Sequence, residues 1–356
     1  MSDIYQIYGH NAHEMTLKLL EASHAIRLVP QGGSVALKPN LVIASAPDNG
    51  ATTHAGVLSG CMEYFQAHGV TDISVIEGSW VGDETMRAMK CAGYDRVCVR
   101  YGVPFYDLKK DAVRKVKTAV GDIGICCRAL DAGLLVNLPV LKGHCQTAMT
   151  CALKNLKGCL PDREKRHFHT MGLQRPIAAL AAALKPGLCI VDSLCGDLVF
   201  EEGGTPVQTN RMFLGTDAVQ IDAYARALMG LSPEDVPYIE LAERFGCGRA
   251  SWCPEDLINL NNPSDAAAYP RPSGKCASLT RNVRENQACS ACFANLVRAL
   301  YATGLHPRQP LFIGQGWQGQ SLDGLGIGKC CRGAAACASG CPPTAEQIAK
   351  LLQEHA

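Results

Sequence analysis

Residues 35–43, VALKPNLVI, are a short apolar run between two glycines and a proline, and this pattern predicts a buried strand. In residues 53–68 the apolar side chains fall on one helical face, and a glycine follows as a stop signal. Residues 73–78 begin as a second strand and end in Glu-Gly. A strand, a helix and a strand in this order predict a βαβ unit with parallel strands.

The same alternation continues towards residue 258. Residues 132–140, AGLLVNLPV, repeat the strand pattern, and we expect a helix at residues 148–156 and a strand at residues 188–192. Ser-Pro at residues 232–233 predicts the start of a helix that ends near residue 246. The sequence therefore predicts the α/β class, with a mostly parallel, Rossmann-like sheet covered by helices.

Charge and hydropathy exclude several classes of protein. The chain has 356 residues, and 34 Lys and Arg against 33 Asp and Glu give a formal charge of +1. This balance does not favour nucleic acid as a partner. The first twenty residues lack the pattern of a signal peptide, and the longest apolar stretch, residues 177–184, is far below the roughly 20 residues that span a bilayer. We expect a cytoplasmic protein without a membrane partner; the oligomeric state stays open.

A change in composition divides the chain. Residues 259–273, NLNNPSDAAAYPRPS, cluster Asn, Pro and Ser without periodicity, which is typical of a linker. The linker separates an α/β body, residues 1–258, from a small cysteine-rich subdomain, residues 274–356. In the latter we expect a helix at residues 290–303, a strand at residues 311–313 and a last helix from residue 344.

Cysteine is unusually frequent, at 19 residues. Without an export signal the thiols are expected to stay reduced, so a disulfide framework is the weaker interpretation. Four cysteines that stand singly among apolar residues are predicted to be small core residues. They are Cys61, Cys98, Cys151 and Cys189.

The cysteines of the tail suggest a metal centre. Cys289 and Cys292 form a C-x-x-C, and the remaining candidates are Cys330, Cys331, Cys337 and Cys341. Four thiolates are what a [4Fe–4S] cluster needs, one for each iron. Zinc is the alternative, although four-thiolate zinc sites usually pair two C-x-x-C knuckles; plain packing is a third reading. Spacing alone leaves Cys330 and Cys331 both open as ligands.

A glycine motif in the tail resembles a dinucleotide fingerprint. Residues 314–319 read GQGWQG and satisfy G-x-G-x-x-G after an apolar strand. The fingerprint requires that its last glycine open a helix, and the following QSLDGLGIG is too rich in glycine for that. We therefore do not predict dinucleotide binding here.

Polar side chains gather at the predicted strand ends, where parallel sheets bind ligands. Lysines and amides bind carboxylate or phosphate, which predicts an anionic small molecule; alternatively, the lysines only cap their helix. We place His169 in a loop after a short helix, and a histidine here can serve as general base. The predicted catalytic residues are His144, Lys154 and His169, and the predicted ligand-binding residues are Lys38, Asn40, His54, Lys142, Asn155, Lys157 and Asp192.

Five segments resemble the DUF362 proteins, an uncharacterised family often associated with iron–sulfur clusters. They are KPNL from Lys38, TTHAGV from Thr52, NLPVLKGH from Asn137, ALKNLKG from Ala152 and IVDSLCGD from Ile190, within a similarity that runs from about Ser34 to Leu228. The tail resembles the cluster region of some members. That resemblance implies that the ligands are Cys289, Cys292, Cys330 and Cys341.

A fainter likeness is to the nickel-pincer lactate racemases, in which a lysine tethers the cofactor and histidines work on either side. His144, Lys154 and His169 stand in a similar order and spacing. The surrounding residues differ, so the likeness is restricted to three positions.

Three functions agree with these patterns. The first is an iron–sulfur oxidoreductase or electron-transfer protein, with an anionic ligand in the body and a partner such as a ferredoxin as electron donor. The second is a non-redox isomerase or racemase that uses His144 and His169, with a structural cluster. The third is a binding protein that senses redox state or ligand.

Overall fold

The computed structural model describes residues 3–262, 269 and 275–355. The chain divides into two compact units. Unit 1 comprises Met1–Glu164 and Gln174–Arg271, and unit 2 comprises Lys165–Leu173 and Pro272–Ala356. Most of the predicted linker, residues 259–273, lies outside the described residues.

Unit 1 is built on a large sheet. Within the described residues, eight strands pair in the order β12-β1-β11-β10-β7-β2-β3-β4, and two hairpins, β5-β6 and β8-β9, lie apart from them. The strands are β1 (Ile4–Tyr8), β2 (Val35–Pro39), β3 (Ile73–Glu77), β4 (Phe105–Asp107), β5 (Val113–Thr118), β6 (Gly121–Cys126), β7 (Leu134–Leu138), β8 (Lys142–His144), β9 (Ala148–Thr150), β10 (Leu188–Asp197), β11 (Pro206–Gly215) and β12 (Leu257–Asn259).

Most neighbours in the large sheet are parallel. β2 pairs in parallel with both β3 and β7, and β10 pairs in parallel with β7. β11 is the exception, because it runs antiparallel to β10 and to β1. The predicted α/β fold with a mostly parallel sheet is thus confirmed.

Helices connect these strands. The four-residue helix α6 is important for the site because it follows the β8-β9 hairpin and carries two of the predicted residues. The helices are α1 (Ala12–Ala22), α2 (Ala55–Ala67), α3 (Thr85–Cys91), α4 (Tyr94–Tyr101), α5 (Cys127–Leu130), α6 (Ala152–Asn155), α7 (Asp162–Thr170), α8 (Gln174–Leu184), α9 (Ala218–Leu228) and α10 (Tyr238–Arg244).

The four cysteines predicted to be core residues are buried. Cys61 belongs to the apolar core between the sheet and α2, where Val57, Leu58 and Phe65 are also buried. Burial also holds for Cys98, Cys151 and Cys189. The prediction that these thiols fill space is confirmed.

Three predicted elements were wrong. Residues 148–156 are not one helix, because Ala148 has a left-handed backbone (φ 59°) in β9 and α6 begins only at Ala152. The loop predicted around His169 is helix α7, which has acidic residues in its first turn. The helix predicted from residue 232 begins instead at Tyr238, since residues 232–235 form a turn.

Unit 2 has a small parallel sheet of its own, in the order β13-β14-β15-β16. Its elements are α11 (Lys275–Leu279), β13 (Val283–Glu285), α12 (Ser290–Thr303), β14 (Leu311–Ile313), β15 (Leu322–Ile327), β16 (Ala334–Ala338) and α13 (Ala345–Glu354). The glycine motif leads from β14 through a short 3-10 turn into β15, so its last glycine opens no helix, as predicted.

Candidate functional site

The predicted polar residues of unit 1 lie where β2, β3, β7 and β10 present their carboxyl-terminal ends. Lys38 on β2 is opposite Asn137 on β7, and Glu77 is the last residue of β3. Asp192 lies within β10 and is completely buried. At the carboxyl-terminal ends of these strands, the ionisable groups are therefore buried in the protein and not exposed on its surface.

Lys38 and Glu77 form a buried ion pair. The Nζ–Oε2 distance is 2.5 Å, and the two side chains are 0% and 2% exposed. Lys38 Nζ also donates to the Pro39 carbonyl at 3.0 Å, and Glu77 Oε1 accepts from the Gly78 amide at 2.7 Å. Such a pair is tolerated in the interior only when further hydrogen bonds satisfy both groups. A Cβ at Gly158 would lie 1.9 Å from Glu77 Oε1, so glycine is required there.

Helix α6 is fixed from both sides. Asn155 Nδ2 donates to Asn137 Oδ1 at 2.8 Å, and Asn137 Nδ2 donates to the Ala152 carbonyl at 2.8 Å. The carboxylate of Asp222 on α9 accepts from the amides of Ala152 at 2.6 Å and Leu153 at 3.1 Å. Burial raises the pKa of Asp222 to about 7. Asp222 therefore caps α6 from a neighbouring helix.

Glu201 joins two of the predicted catalytic residues. Its Oε2 lies 2.8 Å from His144 Nε2, and its Oε1 accepts from Lys154 Nζ at 2.6 Å. The amides of Gln146 and Thr147 donate to His144 Nδ1 at 3.0 and 3.2 Å. Nδ1 is thus an acceptor, which assigns the imidazole proton to Nε2. His144 Nδ1 is engaged by two backbone amides, whereas Nε2 lies beside Glu201 Oε2 without a hydrogen bond to the described residues.

The charges of this group follow from its burial. Burial outweighs the attraction of Glu201 and lowers the pKa of His144 to about 4, so its imidazole is neutral near pH 7. Burial alone would raise the pKa of Glu201, but His144 and Lys154 hold it well below its usual range. The group is a carboxylate held by one ammonium group and one neutral imidazole.

Lys142 is fully buried, as is Lys38. Its Nζ donates to the carbonyls of Ala51 at 2.6 Å and Glu201 at 2.8 Å. Burial lowers the pKa of Lys142 to about 7, against the attraction of the Glu201 carboxylate. Two donated hydrogen bonds are what a neutral amine can supply, so the two carbonyls satisfy both N–H groups of the neutral form.

His54 and Asp192 form a second histidine–carboxylate pair. Asp192 Oδ2 accepts from the His54 amide at 2.7 Å and from Nδ1 at 2.8 Å. His54 Nε2 lies 3.3 Å from the exposed Asp48 carboxylate. Burial acts to lower the pKa of His54, but the Asp192 carboxylate raises it to about 11. His54 is thus a positively charged imidazolium, whereas the imidazole of His144 is neutral.

The remaining predicted residues of unit 1 lie in the same region. The backbone amide of Asn40 donates to Thr53 Oγ1 at 2.8 Å. The buried side-chain Oδ1 of Asn40 accepts no hydrogen bond from the described residues. Lys157 is half-buried and near enough to His144 to lower its pKa. The structure thus brings together nine of the ten predicted body residues.

His169 is the tenth, and it belongs to unit 2. It is 7% exposed, and the Ser290 amide at the start of α12 donates to its Nε2 at 3.4 Å. His144 belongs to unit 1. The two histidines that the sequence groups in one segment are therefore assigned to different units.

The tail cysteines of unit 2 lie near one another. Burial raises the pKa of the Cys292 thiol, and the thiols of Cys289, Cys341, Cys330 and Cys331 raise it further. A Cβ at Gly328 would lie 3.6 Å from Cys292 Sγ. The polypeptide therefore approaches this thiol closely from the β15 side.

Hydrogen bonds distinguish Cys289, whose sulfur is an acceptor, from Cys331 and Cys337, whose thiols are donors. Gln315 Nε2 lies 3.5 Å from Cys289 Sγ and can donate to it. Cys331 Sγ donates instead to the Gly314 carbonyl at 3.8 Å, and Cys337 Sγ to the Gly328 carbonyl at 3.5 Å. Within the described part of the chain, no three His, Cys, Asp or Glu side chains converge as ligands of one metal ion.

Glu77, Asn137, Glu201 and Asp222 belong to the site but were not among the predicted site residues. Glu201 stands in a loop between β10 and β11, and Asp222 stands in the apolar helix α9, VQIDAYARAL. A single acid in an apolar helix was the available signal for Asp222, because a buried carboxylate needs partners. Glu201 gave no comparable signal, since acidic loop residues are usually solvated.

Fold and site together define an α/β protein with a buried charged centre and a separate cysteine-rich unit. The chain belongs to the family described as domain of unknown function DUF362, whose model matches residues 35–227. The chain is also similar to the thylakoid-associated protein sll1697 of Synechocystis sp., with 25% identity over 232 residues. The aligned region covers 61% of this chain and 70% of that protein.

Part of the chain also aligns with a solved structure. The lactate racemase apoprotein from Thermoanaerobacterium thermosaccharolyticum aligns with a TM-score of 0.45 and 12% sequence identity. The alignment covers 64% of this chain and 57% of the racemase chain.

The helices were also compared with the length of a bilayer. Among the residues that the structure describes, none forms a helix that is both long and apolar enough to cross a membrane.

Proposed function

We propose that this protein is an iron–sulfur electron-transfer protein or oxidoreductase that holds a [4Fe–4S] cluster in unit 2. The observation that supports this most directly is the position of Cys292, whose thiol has four other cysteine thiols as electrostatic neighbours. A bound cluster would supply single-electron transfer. Its proposed ligands are Cys289, Cys292, Cys330 and Cys341.

The arrangement of the thiols favours a cluster over zinc. A zinc ion draws its sulfurs to about 2.3 Å from one point, whereas a cubic cluster gives each thiolate its own iron. The four proposed ligands come as two pairs, Cys289 with Cys292 at the start of α12 and Cys330 with Cys341 along a cleft that the first pair does not line, and this arrangement suits the second case. Cys331 is not assigned as a ligand, because its thiol already donates to the Gly314 carbonyl.

The proposed substrate is an anionic small molecule, and a ferredoxin-like protein in a reducing, cytoplasmic compartment is the proposed electron donor. Lys38 and Lys154 are poor candidates for holding the anion, because each is already paired with a buried carboxylate. An anion at either lysine would have to displace Glu77 or Glu201. A non-redox reaction at His144 is not proposed, because its Nδ1 accepts from two backbone amides and its Nε2 lies 2.8 Å from the Glu201 carboxylate.

The test is anaerobic purification followed by assay of iron and acid-labile sulfide. We expect about four of each per chain, and Cys292→Ser should lose both. Cys337→Ser is the matched control, because Cys337 is a tail cysteine outside the proposed ligand set, and it should keep the cluster. Zinc without sulfide, or equal loss in both variants, would overturn the proposal.

A further inference from the structure

Unit 2 carries a cleft that the proposed function does not use. The cleft has a volume of about 770 Å³, within the usual range for small-molecule sites. Among the residues that line it, those with long polar, charged or thiol side chains are Gln318, Gln320, Lys329, Cys330, Arg332 and Cys341.

The cleft is distinct from the space between the four proposed ligands. Cys330 and Cys341 line it, but Cys289 and Cys292 do not. A cluster held by all four thiolates would therefore form part of one wall and leave the rest of the cleft open. A molecule in the cleft would contact the two ligands on that side.

The charge of the lining selects a class of ligand. Lys329 and Arg332 are exposed, and Gln318 and Gln320 add amide donors. Carboxylate and phosphate groups are bound by this combination of cations and N–H donors. A cluster with four thiolates is itself anionic, so an anion can approach it only where cations compensate.

The glycine motif contributes to the same cleft. Gly319, its last residue, has a left-handed backbone (φ 80°) and lines the cleft, with no atoms close to where a Cβ would lie. The motif thus leads the chain around the cleft and leaves room there, although it opens no helix and lacks the context of a dinucleotide site.

We propose that this cleft binds a small molecule bearing a carboxylate or phosphate group, directly beside Cys330 and Cys341. The inference rests on the proposed function for its role, since it places the anionic substrate next to the cluster. The binding itself depends on Lys329 and Arg332, which are not proposed ligands of iron. A cleft of this volume suits a small molecule better than a protein surface.

The experiment is calorimetric titration of the anaerobically purified protein with inorganic phosphate and with succinate. We expect at least one of them to bind, about ten-fold more weakly in Lys329→Gln and in Arg332→Gln, and about 100-fold more weakly in the double variant. Lys350→Gln is the control, because Lys350 is an exposed lysine on α13 outside the cleft. Iron and sulfide content should be unchanged in every variant.

The outcomes separate the two proposals. Failure of both probes to bind, or unchanged affinity in the double variant, would overturn the cleft while leaving the cluster intact. If neither probe binds but an acidic ferredoxin binds through Lys329 and Arg332, the small-molecule site is also refuted. Absence of iron and sulfide, together with charge-dependent binding of a probe, would refute the cluster and retain the cleft.

Discussion

At the scale of single residues, Glu201 is the group that keeps the charges of unit 1 in balance. Its carboxylate is the partner of Lys154 and of His144, and its backbone carbonyl accepts from Lys142. All of these side chains are buried. Removal of one partner from such a group leaves a buried charge without compensation, which costs more than the pair itself contributes.

We expect Glu201→Gln to lower the free energy of unfolding by about 3–5 kcal/mol, because the Lys154 ammonium would lose its carboxylate in the interior. Urea denaturation followed by circular dichroism measures this change. Asp131→Asn is the control: it removes the partner of Arg114 in a pair whose side chains are about half exposed, and should cost less than about 1 kcal/mol. Equal effects would show that Glu201 is not essential to the group.

A second prediction concerns the close packing around Gly158. A methyl group there would meet Glu77 Oε1 and Lys38 Nζ, and both side chains are held by the protein interior. We expect Gly158→Ala to destabilise the fold by about 1–3 kcal/mol through overpacking, measured by the midpoint of urea unfolding. A change below the error of that measurement would contradict the close approach.

Individual residues also show the limits of sequence analysis. The sequence placed Lys38 in a strand, Lys142 after a strand and Lys154 on a short helix, and the structure has them in β2, at the first residue of β8 and on α6. It did not indicate their partners, because Glu201 is distant in sequence from Lys154 and the contact depends on tertiary packing. Lysine at a strand end therefore suggested an anion, whereas the protein supplies its own carboxylates.

At the scale of secondary structure, α6 depends on α9. A four-residue helix is too short to be stable alone, and the Asp222 carboxylate holds its first two amides. The sequence predicted one continuous helix here because its apolar spacing is helical. Strand β9 forms instead, and it positions Lys154 and Asn155 on a short, externally capped turn.

The raised pKa of Asp222 makes stability depend on pH. The folded pKa is about 7, against 3.8 for the ordinary carboxyl group, so the folded state keeps a proton that the unfolded state releases. The stabilisation is complete below pH 3.8 and is lost as the pH rises to 7, by about 1 kcal/mol per pH unit. Urea unfolding from pH 4.5 to 7 should show this slope in the wild type relative to Asp222→Asn. Parallel curves would contradict it.

The last two helices of the chain, α12 and α13, were predicted more accurately than those around the site. Helix α12 was expected at residues 290–303 and occupies Ser290–Thr303. Its apolar face is uninterrupted, and a glycine with a left-handed backbone ends it. Helix α7 was missed because only one large apolar residue, Phe168, marks its buried face.

At the scale of the whole molecule, the proposed cluster joins segments that are far apart in sequence. Two proposed ligands lie at the start of α12, one follows β15, and one follows β16. Metal binding that links separate segments contributes directly to folding free energy. Loss of the cluster is thus expected to affect unit 2 and not the sheet of unit 1.

Hydrogen exchange measures this effect. After anaerobic chelation of iron, we expect faster exchange in β14, β15 and β16 and unchanged exchange in β2, β3 and β7. The strands of unit 1 serve as the internal control in the same sample. Unchanged protection in all six strands would contradict a structural contribution of the cluster.

The order of strands in the large sheet has a consequence for synthesis. β1 leaves the ribosome before both of its partners, which are β11, beginning at Pro206, and β12, beginning at Leu257. At a synthesis rate of 5–20 residues per second, both edges of β1 stay unpaired for about 10–40 s before β11 has been synthesised. Slower translation therefore lengthens the time for which β1 is exposed to pairing with other chains.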